Sequence, residues 1–219
     1  MQRARYADRH DAGRVLAGAL AGRADGGTLV LGLPRGGVVV AAEVAATLGA
    51  ELDVLVVRKL GVPGHPELAM GAIAAVGNAV ETVWVRRVLD RLEPDEADID
   101  AVRDRETAEL RRRTAAYRGA RPAPAPAGRH VVLVDDGLAT GATMRVAVHA
   151  VMASRPARLT VAVPVGPPEV VAELAAVVDA LVCPVVPGDF RSVGQAYADF
   201  AETTDGEVAD ALRRGGTVG

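Results

Sequence analysis

The sequence is short of cysteine, of lysine, of aromatic residues and of any excess of positive charge. Cys183 is the single cysteine, so no disulfide can form within the chain. That fits a reducing compartment, and a cytoplasmic location is expected. No apolar run reaches the roughly 18 residues of a membrane helix. The opening stretch, MQRARYADRHDAGR, lacks the apolar centre of a secretory signal, so no membrane partner is expected. With a net charge of −3 the chain carries no broad basic field, which argues against a nucleic-acid partner. Aromatic residues make up 3%, so Ala, Val and Gly dominate instead; composition of this kind carries no functional message. The shortage of lysine is more telling. Of 25 basic residues, Lys59 is the only lysine. A flexible ammonium kept in a chain that otherwise uses the planar guanidinium marks Lys59 as a candidate functional residue.

The 219 residues, half of them hydrophobic and 24% charged, suffice for one domain with a sizeable core. Residues 8–22 read as a short amphipathic helix with Val15, Leu16, Ala19 and Leu20 on one face. Residues 28–33 (TLVLGL) read as a buried strand, followed by Pro34-Arg35-Gly36-Gly37, a helix over 38–48 and a second strand over 52–57. Strand, glycine turn, helix and strand make a βαβ unit and predict a parallel sheet. Residues 58–66 (RKLGVPGHP) read as a Gly/Pro-rich loop. Residues 68–84 read as a hairpin turning at Gly77-Asn78.

A long charged helix is predicted over 94–117, with Pro94 in its first turn. Its run Arg111-Arg112-Arg113 reads as a solvated terminus. A Pro/Ala linker over 121–128 leads to a third strand over 130–135. Helix 141–153, strand 159–165, helix 168–178, strand 180–186 and a last helix near 207–213 follow. The expectation is an α/β fold: a doubly wound, mainly parallel sheet flanked by helices. Ligands in such sheets sit at the carboxyl ends of the strands.

Residues 131–144, VVLVDDGLATGATM, carry the chemistry. Four apolar residues make a buried strand with Asp135 and Asp136 at its carboxyl end. The small residues that follow let backbone N–H groups converge on one anion, and the start of the next helix adds partial positive charge. Thr140 and Thr143 add hydroxyl donors. Carboxylates beside such a cradle accept hydrogen bonds from vicinal hydroxyls and stabilise positive charge forming at an anomeric carbon. Phosphate at one end and a diol at the other describe a ribose 5-phosphate site. A Walker A loop would need Gly-Lys-Ser/Thr, and a dinucleotide fingerprint G-x-G-x-x-G; neither is present. A Mg²⁺-binding phosphoacceptor site would leave the Thr-Gly-x-Thr loop without a role.

This segment resembles the signature by which type I phosphoribosyltransferases bind phosphoribosyl pyrophosphate (PRPP): four apolar residues, two acids, two variable residues, then Ala/Ser-Thr-Gly-x-Thr. The resemblance implies a single domain over residues 1–219 with a core over about 26–188. A small hood would come from the N-terminal helix, from 189–219 or from both, and a β-hairpin or flexible-loop insertion is implied as well. It implies that Asp135 and Asp136 hold the ribose hydroxyls, and that Ala139, Thr140, Gly141, Ala142 and Thr143 hold the 5′-phosphate. Arg35, Gly36 and Gly37 resemble the family's pyrophosphate loop, with Arg58 and Lys59 reaching the same group. Residues 58–70 resemble in position the mobile catalytic loop that excludes water. Within it Glu67 is a candidate general base, and His65 reads as a surface histidine. Family members acting on 6-oxopurines carry a third acid at the position of Ala139, so a hypoxanthine or guanine acceptor is not expected. Phe190 or Tyr197 could stack on a planar base or simply pack in the core.

The activity so implied is transfer of the 5-phosphoribosyl group from PRPP to an acceptor, a nucleobase by expectation, with release of pyrophosphate. Mg²⁺ is the implied cofactor, held mainly by PRPP oxygens, with Asp135 or Asp136 as the available protein ligands. A homodimer fits the family pattern. The main alternative is a regulator that binds PRPP without turnover; a hydrolase of phosphoribosyl compounds is a third reading.

Overall fold

A computed structural model describes residues 5–215. The first four residues, part of the polar opening stretch, and the last four of the expected 1–219 domain lie outside them. In chain order the elements are α1 (Arg9–Leu20), β1 (Leu29–Gly32), α2 (Gly36–Leu48), β2 (Glu51–Val54), β3 (Val57–Val62), β4 (His65–Val76), β5 (Ala79–Trp84) and α3 (Arg86–Leu92). There follow α4 (Glu96–Arg118), β6 (His130–Val134), α5 (Ala142–Ala153), β7 (Arg158–Ala162), α6 (Pro168–Ala175), β8 (Ala180–Val182) and α7 (Asp205–Gly215).

Five strands form a parallel sheet in the order β2-β1-β6-β7-β8. The sheet is buried on both faces, so its strands read as continuous apolar runs. Alternation within each run still decides which face a side chain serves. Val30, Val132 and Val134 pack with Leu16 and Leu20 of α1, Val40 and Val44 of α2 and Leu212 of α7. Leu29, Leu31, Val131 and Leu133 pack with Met144, Ala147, Val148 and Val151 of α5 and Leu174 of α6. Helices on both sides make the doubly wound architecture that strand–helix alternation predicts. Chain direction across the sheet reverses between β1 and β6, which makes the gap beyond their carboxyl ends the topological switch point. Leu33 N–H donates to Val134 O at 2.8 Å, tying the two strand ends together there.

Strands β3, β4 and β5 form a separate antiparallel sheet. The expected turn at Gly77 joins β4 to β5, with Val76 opposite Ala79. The segment RKLGVPGHP, expected to be a loop, instead supplies β3 and the start of β4, which turn at Gly64 (φ +74°). Its glycines and prolines hide the strand pattern. Gly61 lets the ribbon close where a Cβ would stand 2.8 Å from Pro66 O, and the register shifts on either side of it. On α1 the expected apolar face also shifts. Val15 and Ala19 are exposed, and Ala12, Gly13, Leu16, Ala17 and Leu20 are buried. Helix α3 has no counterpart among the sequence expectations. Helix α4 starts two residues later than expected because the Asp95 side chain caps it by accepting from Ala97 N–H at 2.8 Å.

One charged pair lies inside the fold. Asp53 of β2 is 3% exposed and accepts from Arg118, at the end of α4, through Nε at 3.1 Å and Nη2 at 2.7 Å. This two-point contact fastens α4 to the edge of the main sheet.

Candidate active site

The switch point is built from two loops that meet at close range. After β1 the chain passes through Pro34 and Arg35, joined by a cis peptide bond, into Gly36 and Gly37 at the start of α2. After β6 it passes through Asp135 and Asp136. A Cβ on Gly37 would lie 2.7 Å from the Asp135 Cα and 2.9 Å from Val134 O. A Cβ on Gly36 would overlap the Asp136 carboxylate and the Arg9 guanidinium. Two glycines are required because the loops touch along their backbones.

The acid pair is half-buried. Asp135 Oδ1 accepts from the backbone N–H of Asp136 at 2.8 Å. Burial and the neighbouring Asp136 charge push the Asp135 carboxyl well above the usual carboxylate range. Burial also pushes Asp136 up, against the pull of Arg9, whose Nε donates to Asp136 Oδ2 at 2.8 Å. Arg9 is itself fixed. Its Nη1 donates to Ala201 O at 2.7 Å and its guanidinium lies 4.0 Å from the centre of the Phe200 ring. Tyr197 donates through its hydroxyl to Asp136 O at 2.6 Å. Its ring packs against Tyr6 and Phe200, with centroids 5.5 and 4.9 Å away. Burial raises the Tyr197 hydroxyl pKa, so it stays protonated and a donor.

The loop from Gly137 to Gly141 enters α5 through Gly141 in the left-handed region (φ +72°). Thr140, Ala142 and Thr143 are exposed there, as is Ala139. The first backbone N–H groups of α5 have no partner within the helix and face the open loop end. Arg145 braces the loop by donating through Nη1 to Thr140 O at 2.7 Å while pairing with Glu173 of α6.

The remaining candidates make other contacts. Arg58 on β3 donates to Glu106 of α4, through Nε at 3.0 Å, so its guanidinium is engaged with that helix. Lys59 is exposed on β3, and His65 and Glu67 are exposed on β4. Among the described residues no hydrogen bond or ion pair joins Lys59 or Glu67 to the acid pair. Arg35 pairs with Glu202. Tyr197 is 5% exposed and serves as packing. Phe190 is half-buried and lines a cavity of about 400 Å³ with Val165, Val185 and Ser192. No group of three or more His, Cys, Asp or Glu side chains placed to hold a metal occurs among the described residues. No helix is long and apolar enough to cross a membrane among them.

Arg9, Tyr197 as a donor, and Arg145 complete the centre and were not assigned these roles from sequence. Arg9 and Asp136 are 127 positions apart, so no local pattern links them. The ion pair makes a pH prediction. An ionised Asp136 accepts hydroxyl hydrogen bonds, and Arg9 holds its carboxyl pKa down. In Arg9→Met that pull is gone, so the folded pKa climbs and a higher pH is needed to ionise the group. The acid limb of a kcat/KM or PRPP-affinity profile should move to higher pH, and Arg9→Lys should move it back. An unmoved limb would count against Arg9 acting through Asp136.

Two glycine-rich loops and an acid pair at the switch point of a five-stranded parallel sheet place this chain among the α/β proteins whose site lies at the carboxyl edge of the sheet. Residues 8–199 match the family described as phosphoribosyl transferase domain, and the chain belongs to that family. Two provisionally named phosphoribosyl transferases of Mycobacterium tuberculosis, from strains CDC 1551 and H37Rv, are each 47% identical over 209 residues. The match takes in 95% of this chain but 46% of theirs, so the chain spans about half the length of these curated relatives. The crystal structure of TT1426 from Thermus thermophilus is similar with a TM-score of 0.82 and 48% identity, over 95% of this chain and 97% of that one.

Proposed function

We propose that this domain transfers the 5-phosphoribosyl group of PRPP to a nitrogen of a planar acceptor of the nucleobase class, releasing pyrophosphate. The observation that carries the reading is the backbone contact of Gly36–Gly37 with Asp135–Asp136, one loop suited to pyrophosphate and the other to the ribose diol. The phosphate would sit on the amides and hydroxyls of Ala139, Thr140, Gly141, Ala142 and Thr143. The anomeric carbon would then lie at the mouth formed by the acid pair and the Gly36–Gly37 loop, beyond the point where the two loops touch. As the acceptor nitrogen attacks, the bond to pyrophosphate breaks and its electron pair leaves with the pyrophosphate oxygen. Positive charge builds on the anomeric carbon and ring oxygen, and the carboxylates of Asp135 and Asp136 stabilise it. Arg35, Gly36 and Gly37 take the leaving group, with Lys59 and Arg58 assigned to its outer side and Glu67 to proton removal from the acceptor. The Phe190 cavity is the acceptor's proposed seat, because its Val165 wall also contacts Gly137, next to Asp136.

Magnesium fits this site in one manner. Adjacent carboxylates without a third ligand suit a cation held chiefly by substrate oxygens and water, touching Asp135 or Asp136 at one position. Bound so, it would neutralise charge on the departing pyrophosphate. A homodimer in the cytoplasm remains part of the same reading.

The test is steady-state pyrophosphate release from PRPP with magnesium, across a panel of purine and pyrimidine bases. Release that depends on one base supports transfer; release without any base points to hydrolysis. Binding of PRPP without release under any condition would replace transfer with the regulatory reading. That second reading has its own support: in this structure Arg9 engages Asp136 and Glu202 engages Arg35, so both loops are tied to the chain's own ion pairs.

A further inference from the structure

We infer that Arg112 and Arg113 of α4 form the far wall of the diphosphate site, a role separate from the two loops and resting on the PRPP reading above. A cavity of about 300 Å³ opens at the carboxyl ends of β1 and β2. Arg35 lines it from the glycine loop and Thr143 from the start of α5. Arg112, Arg113 and Tyr117 line it from α4, and Asp205 from the start of α7. One cavity thus reaches from Thr143 of the proposed 5′-phosphate cradle to the proposed pyrophosphate loop, and its lining holds three arginines and one acid. Tyr117 donates to Asp205 Oδ1 at 2.7 Å, so that carboxylate is already occupied.

Both arginines are solvent-exposed, Arg112 at 67% and Arg113 at 45%, but each is tethered at its base. Glu109 accepts from Arg112 Nε at 2.7 Å, from Arg112 Nη2 at 2.9 Å and from Arg113 Nε at 2.8 Å. One carboxylate anchors two guanidiniums and neutralises one charge, so the pair keeps a net positive charge. The Arg113 contact to Glu109 uses Nε and leaves its terminal nitrogens for an oxyanion. The sequence reading of 111–113 as a solvated terminus holds for all three, which are exposed; Arg112 and Arg113 differ from Arg111 in also lining the cavity. A long helix that the parallel sheet does not require thus carries cations to the sheet's carboxyl edge. Fork-shaped donors match phosphate oxygens two at a time, and a diphosphate offers oxygens to Arg35 and to α4 within one cavity.

The test is calorimetric titration of the full chain with inorganic pyrophosphate and magnesium, with PRPP and magnesium, and with ribose 5-phosphate. The double variant Arg112→Gln, Arg113→Gln should weaken pyrophosphate and PRPP binding at least on the order of tenfold, one such charge-assisted contact sufficing for that. Ribose 5-phosphate affinity should hold, and Arg111→Gln should bind all three as wild type does. If the double variant fails to fold, Glu109→Gln is read instead: removing its negative charge should tighten pyrophosphate binding, and unchanged affinity overturns the inference. Wild-type pyrophosphate affinity in a folded double variant overturns it while leaving the PRPP reading intact. Arginine-dependent pyrophosphate binding without any PRPP binding does the reverse. Wild-type protein that binds neither ligand sinks both.

Discussion

Asp136→Asn is expected to lower PRPP affinity or turnover on the order of 100- to 1,000-fold, the usual cost of removing one preorganised charge-stabilising group, while the fold persists. The replacement is nearly isosteric, so the contact with Gly36 survives and only charge and one acceptor are lost. The same substitution leaves the largely buried Arg9 guanidinium without its carboxylate partner, so thermal stability should stay equal or fall. Burial pushes both acids above their ordinary range, so their folded-state pKa values exceed the unfolded ones. Such groups favour the fold while protonated, and that contribution is lost as pH rises through the folded pKa. Ionising the pair is thus a cost to stability, offset at position 136 by the Arg9 contact. Asp135→Asn removes one charge of the pair and leaves the Arg9–Asp136 contact in place, so it should raise the melting temperature. The comparison needs only a melting curve and a PRPP titration on each variant. Wild-type affinity in Asp136→Asn would remove the basis for assigning the site.

Arg118→Ala should destabilise the fold by about 3–5 kcal/mol, because it leaves a buried carboxylate without its partner. For a chain of this length that corresponds to a fall of roughly 6–20 °C in melting temperature. Asp53 is 3% exposed, and the Arg118 side chain is 10% exposed. The next cation, Arg121 Nη2, stands 3.9 Å from Asp53 Oδ1 and is too far for a hydrogen bond. Adding Asp53→Asn to Arg118→Ala should recover part of the loss, since the stranded charge goes with it. Chemical denaturation of the three variants gives the coupling directly. A loss below about 1 kcal/mol in the single variant, the range of exposed ion pairs, would mean that water or Arg121 replaces the lost contact.

The parts of this molecule legible in the sequence are those whose cause is local. VVLVDDGLATGATM announces a buried strand, an acid pair and an anion loop because each depends on neighbours within a few positions. Alternation of apolar runs with helical stretches gave the doubly wound sheet for the same reason. The segment RKLGVPGHP misled because Gly and Pro mark turns on average, and here hairpin pairing of β3 with β4 overrides that preference. Arg9 at Asp136, Arg118 at Asp53 and Arg112–Arg113 beside Arg35 were not legible. Each joins residues tens of positions or more apart, and an arginine on a helix reads the same whether it meets solvent or a carboxylate. The chain's arginine-rich composition deepened that ambiguity by placing guanidiniums everywhere.

The ribbon of β3 and β4 has a consequence for ligand affinity. A flexible cover must surrender its chain freedom whenever substrate arrives, at about 1–2 kcal/mol of backbone entropy per residue fixed. Here β3 and β4 are already laddered together by antiparallel pairing from Val57 to Val62. Any swing over a bound molecule would move a preassembled flap about its base, and the freezing cost falls on folding instead of on each catalytic cycle.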